Sequence, residues 1–192
     1  MNPGIRQRID LLIPLLKDPV PAVRTAAASA IERLEAANDL DGILNALKTG
    51  DTGTRVAAIH ALGVIGGDKV IAPLVYCAKR PETDIRAAAV EVLGKLAAPS
   101  ALPVLVERLK DESLAVVARA IAALGNFPSS PDLVSALRPF LQADNGELEG
   151  EAALALAHIG DTTSLDNIAA LLSSPHVSSR MSAATALSLL PL

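Results

Sequence analysis

Few residues in this chain could do chemistry: three histidines (His60, His158, His176), one cysteine (Cys77) and the glycine-rich run Gly63-Val64-Ile65-Gly66-Gly67. A metal site needs several His, Cys or carboxylate ligands at short intervals. Here the residues following the histidines are Ala61, Ile159 and Val177, and no Cys or His cluster accompanies them. They read as solvated or hydrogen-bonded surface histidines. The glycine-rich run would cradle phosphate only after a strand and with a Gly-Lys-Ser/Thr ending. It instead closes a helical pattern, so it reads as a helix stop. No Gly-x-Ser-x-Gly elbow is present. Cys77, as the single cysteine, has no intramolecular disulfide partner; beside Val75 and Ala78 it reads as a thiol at the edge of a helix core. No catalytic, cofactor or metal-ligating residue is expected, and the reading is non-enzymatic.

The elements that must position these residues are set by a period. Thr54-Arg55-Val56-Ala57-Ala58-Ile59-His60-Ala61-Leu62-Gly63 returns as Ile85-Arg86-Ala87-Ala88-Ala89-Val90-Glu91-Val92-Leu93-Gly94, and again before Gly125. The three glycines are spaced 31 residues apart. A fixed step of this size is the signature of stacked repeats.

Each repeat should hold two helices, A and B. In the A helices one apolar column runs Ile9, Leu40, Ile71, Leu102, Val134 and Leu165. A second runs Leu12, Ile43, Leu74, Leu105, Leu137 and Ile168, and a third Leu16, Leu47, Ala78, Leu109, Leu141 and Leu172. Their i, i+3, i+7 spacing defines one helix face. The B helices carry a column of alanine (Ala27, Ala58, Ala89, Ala120, Ala152, Ala183), followed by Ile31, Leu62, Leu93, Leu124, Leu156 and Leu187. Small residues at every equivalent site let successive helices approach closely. Pro14 should kink or break the first A helix, because it removes a backbone donor. The expected architecture is an all-α, α-α superhelix of six two-helix repeats, about 12 helices in one domain over 1–192. The repeats fall at approximately 5–36, 37–66, 67–97, 98–129, 130–160 and 161–192.

Composition narrows the partners. The chain has 192 residues, a formal charge of −4, 2% aromatics and no Trp, so it lacks the basic footprint of a nucleic-acid binder. No apolar run approaches a membrane span. Arg6, Arg8 and Asp10 interrupt any leader-like segment, and a reducing, cytoplasmic location is expected. The terminal Leu189-Leu190-Pro191-Leu192 either folds back as a cap, the favoured reading, or meets another chain; the expectation is a monomer or a weak homodimer through the C-terminal repeat.

The Val23-Arg24 and Ile85-Arg86 starts, the Ala57-Ala58 pair, the Ala61-Leu62-Gly63-x-Ile65-Gly66 run and the preceding Leu16-Lys17-Asp18 and Leu109-Lys110-Asp111 resemble HEAT-like repeats. The likeness is to the short variety seen in phycobilin-lyase-type proteins, since HEAT and armadillo units usually run to about 40–47 residues. The resemblance covers almost the whole chain and implies a binding scaffold rather than a particular activity. It also implies that Arg24, Arg55, Arg86 and Arg180 tie repeats together by pairing with acidic residues or helix-end carbonyls. Val117 and Glu149 stand in that column in repeats four and five, which should therefore be less regular. Deoxyhypusine hydroxylase, an enzyme of similar fold, carries iron on His-Glu pairs; this chain has none. DNA glycosylases of related fold use a basic groove, which the charge here does not support.

The B helices should line the concave face, the usual binding side of such arrays. Opposite their core lie columns 22, 25, 29 and 33 and their equivalents. From them Val56, His60, Val64, Glu91, Lys95, Asn126, Leu154 and His158 project over a shallow floor of small residues. Exposed Val and Leu beside polar groups suit a protein or peptide partner; each of these side chains can equally be a solvated residue of a soluble face. The resulting expectation is a protein-interaction scaffold or adaptor. The alternative is a subunit or chaperone of a chromophore (bilin) lyase.

Overall fold

The computed structural model describes residues 1–191. Among these residues twelve α-helices alternate as A and B elements. The A helices are α1 (Pro3–Leu12), α3 (Leu40–Thr49), α5 (Asp68–Cys77), α7 (Leu102–Arg108), α9 (Pro131–Leu137) and α11 (Leu165–Ala170). The B helices are α2 (Pro21–Asn38), α4 (Thr52–Ile65), α6 (Thr83–Leu96), α8 (Leu114–Leu124), α10 (Leu148–His158) and α12 (Val177–Leu189). No strand occurs among the described residues.

Consecutive B helices pack directly on one another from α2 to α12, whereas consecutive A helices meet at most in passing. The layer whose members lie closer together is the inner, shorter one, so the B helices line the inside of the curve. The alanine column makes this possible: Ala27, Ala58, Ala89, Ala120, Ala152 and Ala183 are all buried. The glycine column brings the helices closer still. A Cβ on Gly63 would stand 2.8 Å from Val92 Cγ1, and one on Gly125 would stand 2.9 Å from Ala155 Cα.

Prolines shorten the A helices. Pro14 ends α1 at Leu12 and the chain continues as a 3₁₀ turn over Ile13–Lys17; Pro139 does the same after α9, over Arg138–Gln142. The positive φ of Gly66 (67°) and Gly67 (76°) closes α4 and opens α5. At the first boundary α2 runs to Asn38, two residues past the approximate repeat limit at 36, and Asp39 of the polar Asn38-Asp39 pair alone separates it from α3.

Three residues assigned to the A-helix core are exposed: Leu16, Leu165 and Leu172. All lie in the end repeats. Leu141, at the same place in the matching 3₁₀ stretch Arg138–Gln142, is buried between repeats, so the winding is not the cause. Leu16 lies in the first repeat and is covered from one side only. In repeat six the 3₁₀ turn Leu171–Ser173 turns Leu171 inward instead of Leu172. Leu165 has no following A helix to cover it. At the C-terminus Leu190 packs against the core and Pro191 lies beside Gly160, so these residues fold back on the array. Leu189 stays exposed, and Leu192 lies outside the described residues.

Candidate functional site

The N-terminal turns of α4, α6 and α8 leave a groove of about 590 Å³ on the B-helix face. Its floor is Ala87 and Ala88 on α6, and its rims are Thr52, Gly53, Val56 and His60 on α4 and Ala115 and Arg119 on α8. Thr83 and Asp84 close the end where α6 begins. Small side chains on the floor result from the same packing that sets the repeat: Ala87 and Ala88 sit between neighbouring B helices and are themselves nearly covered.

Charge in the groove centres on Glu91. Lys95 donates to its Oε1 from one turn along α6 at 2.6 Å, and Arg119 Nε stands 3.6 Å from its Oε2 across the groove on α8. Lys95 foremost, then Arg119 and His60, hold the Glu91 carboxyl below its ordinary range, against the opposing effect of partial burial. The carboxylate therefore stays ionised and oriented, with an exposed cation on either side.

Of the eight residues expected to face a partner, the structure brings Val56, His60 and Glu91 together in this groove, with Lys95 bonded to its rim. Val64 lies half-buried near the far end of α4. Asn126 is exposed, and its Nδ2 donates across to Gly94 O of the preceding B helix at 3.2 Å. Leu154 packs partly against the core, and His158 is the exposed last residue of α10. Both lie beyond α8, apart from the groove. Column 25, expected on the floor, is buried in the middle repeats at Ala87, Ala118 and Gly150, and open only at Thr25 and Met181 in the end repeats. Arg119 was not anticipated. Its signal was present: it breaks a column that otherwise begins Ala26, Ala57, Ala88.

The arginine column forms a structural seam along the loop edge. Arg24, Arg86 and Arg180 use one Nη each to bond carbonyls six and five residues earlier: Asp18 and Pro19, Arg80 and Pro81, Ser174 and Pro175. Only Arg55 and Arg86 also reach the next repeat. Arg55 Nη1 meets Glu82 at 3.2 Å, and Arg86 pairs with Asp111 through two bonds of 2.9 Å and with Glu112 at 3.1 Å. Arg24 and Arg180 are thus ties within a repeat rather than between repeats: Asp51, one repeat step before Glu82, instead caps α4 by accepting from Thr54 N at 2.8 Å, and Arg180 stands in the sixth repeat.

Glu149 fills the arginine column with the opposite polarity. It is 1% exposed and accepts from the N–H groups of Asn145 and Gly146 (3.2 and 2.7 Å) and from Ser179 Oγ (2.9 Å). Where arginine holds loop carbonyls, Glu149 holds loop amides. The loop responds by taking Asp144 and Gly146 to positive φ (52° and 83°), which makes repeat five irregular. Repeat four keeps an ordinary loop, with Asp111 accepting from Ser113 N at 3.0 Å.

The three histidines lie apart, on α4, at the end of α10 and before α12. Among the described residues no three His, Cys, Asp or Glu side chains are placed to hold a metal ion. No helix among them is long and apolar enough to cross a membrane.

Family models for HEAT repeats match residues 9–35, 40–125, 71–150 and 108–189. The chain belongs to the HEAT repeat family. A search of curated proteins finds no match. Among solved structures, the complex of CpcE and CpcF of phycocyanin lyase from Nostoc sp. PCC7120 is 18% identical with a TM-score of 0.64, over 78% of this chain and 98% of that one. An engineered protein matches at 22% identity and a TM-score of 0.59, covering 95% of this chain and 96% of the other. A designed armadillo repeat protein in complex with a (KR)4 peptide matches at 20% identity and a TM-score of 0.60, covering 95% and 99%. At these identities the likeness is one of fold.

Proposed function

We propose that this HEAT repeat protein is a non-enzymatic scaffold that binds an extended peptide segment of a partner protein across α4, α6 and α8. The groove of about 590 Å³ with the Glu91–Arg119 pair spanning it carries this reading. An alanine floor admits a peptide backbone closely, and Val56 offers apolar contact. Ionised Glu91 with Lys95 and Arg119 supplies paired charges that select a segment carrying both signs. The seam of arginines holds the three helices in fixed relation, so little ordering is required on binding. The buried free thiol of Cys77 suits a reducing cytoplasm.

A photo-crosslinking amino acid at Ala115, compared with one at the outward Val106, tests the groove directly. Partners captured from cell extract through Ala115 should disappear in Arg119→Glu and in Val56→Asp. Equal capture from Val106 would refute the groove as the binding side.

A second reading, a subunit or chaperone of a bilin lyase, draws support from the likeness to the phycocyanin lyase complex and from a groove volume within the range of about 300–1,000 Å³ for ligand pockets. Incubation with a bilin separates the two: a visible absorption change with stable co-elution favours the lyase class, and its absence leaves the scaffold.

A further inference from the structure

A cavity of about 380 Å³ opens on the other side of α4, between the second and third repeats. Leu44, Leu47, Pro73, Cys77 and Ile85 give it apolar walls, and three cations, Lys48, Arg55 and Arg80, gather at it. Glu82 is the one carboxylate set against them: Arg55 and Arg80 share its Oε1, at 3.2 and 3.4 Å. Lys48 has no ion-pair partner among the described residues, and Arg55 Nε is buried without an acceptor. Glu82 Oε2 is likewise buried without a donor, yet three cations against this one carboxylate leave an excess of positive charge beside an apolar chamber, which suits an amphipathic anion. The volume stands at the small end of ligand pockets, about 300–1,000 Å³.

We propose that this cavity binds a small aliphatic carboxylate, of the size of a medium-chain fatty acid, with its chain among Leu44, Leu47 and Ile85 and its carboxylate on Lys48 and Arg55. The chain carries its own reporters. Tyr76 is the single tyrosine in a protein without tryptophan, and with Cys77, the single cysteine, it lines the cavity. Octanoate titrated into the intact protein should change Tyr76 emission saturably and slow alkylation of Cys77 at mildly alkaline pH, whereas octanol should do neither. Lys48→Met leaves both Glu82 pairs in place and should weaken octanoate about tenfold, the worth of one charge-assisted hydrogen bond. Leu47→Phe, which fills the chamber, should abolish the response with the helical circular dichroism retained. Octanol acting as strongly as octanoate would overturn the anionic specificity. A wild-type protein that ignores octanoate in both reporters would overturn the site, however the variants behave.

Discussion

Gly94 on α6 faces Ala123 on α8 so closely that a Cβ on the glycine would stand 2.4 Å from the alanine Cβ and 2.6 Å from its Cα. The obstacle is backbone and a side chain with no rotamer to move, so the helices themselves would have to part. Replacing Gly by Ala in a helix ordinarily gains about 1 kcal/mol of propensity, and overpacking costs about 1–3 kcal/mol or more. The clash should win. Gly94→Ala is expected to lower the urea midpoint, while Gly53→Ala, where the nearest atom is 3.8 Å away, should leave it unchanged or raise it. Ala89→Leu at a fully buried member of the alanine column should destabilise by about 1–3 kcal/mol. An unchanged melting curve for Gly94→Ala or Ala89→Leu would contradict the observed packing.

The arginine seam should be uneven. The Arg86 and Asp111 side chains are 4% and 2% exposed. Arg86→Met takes from the buried Asp111 carboxylate its two-bond partner, leaving Arg108 at 3.1 Å and Ser113 N at 3.0 Å, at a cost of about 1.5–3 kcal/mol. Arg24→Met loses bonds to two loop carbonyls, part of them exposed, at about 1 kcal/mol or less. Chemical denaturation of the two variants side by side measures the gap, and equal losses would mean that the reach to the next repeat adds nothing.

Acid should weaken the array through Glu149, Asp111 and Asp161. In each, burial alone would push the carboxyl up. Outweighing it are donors: the amides of Asn145, Gly146 and Glu149 itself for Glu149, Arg86 for Asp111, and Ser164 for Asp161. All three are held below the ordinary carboxylate range. A depressed folded value means that the stabilisation is present above the unfolded values, about 3.9 for Asp and 4.3 for Glu, and lost as pH falls through the folded ones. Melting temperature should therefore drop steeply below about pH 4. Glu149→Gln, at a cost of about 1–3 kcal/mol near neutrality, should flatten that slope. Glu151 works in the opposite sense, raised by burial and then by Glu147.

Cys77 should resist alkylation at neutral pH. Burial foremost pushes its thiol up to about 11, Arg80 and Arg55 opposing, and the thiolate is the reactive form. The labelling rate of the folded protein should climb roughly tenfold per pH unit up to about pH 10. Fast labelling at pH 7 without denaturant would show the thiol to be reached by opening of the second and third repeats.

The period, the alanine column and the apolar A-helix columns were legible in the sequence because a repeat repeats its contacts. Any position that touches the next copy must keep its size six times over. The same logic announced the helix stop at Gly66-Gly67 and the kink at Pro14. It failed at Leu16, Leu165 and Leu172 because the end repeats are covered from one side only, and periodicity carries no information about that.

The sequence by itself therefore determined the helical pairs, their order and the face each pair buries, since these follow from local spacing and side-chain size. Tertiary structure decided which outward residues meet. Glu91 and Arg119 are 28 positions apart, off the repeat step, and become partners only through the offset between neighbouring B helices. Likewise, nothing local says that Glu149 holds amides where Arg86 holds carbonyls. The partner of a buried charge is fixed by the loop that packs over it, and that loop is placed only when the repeats stack.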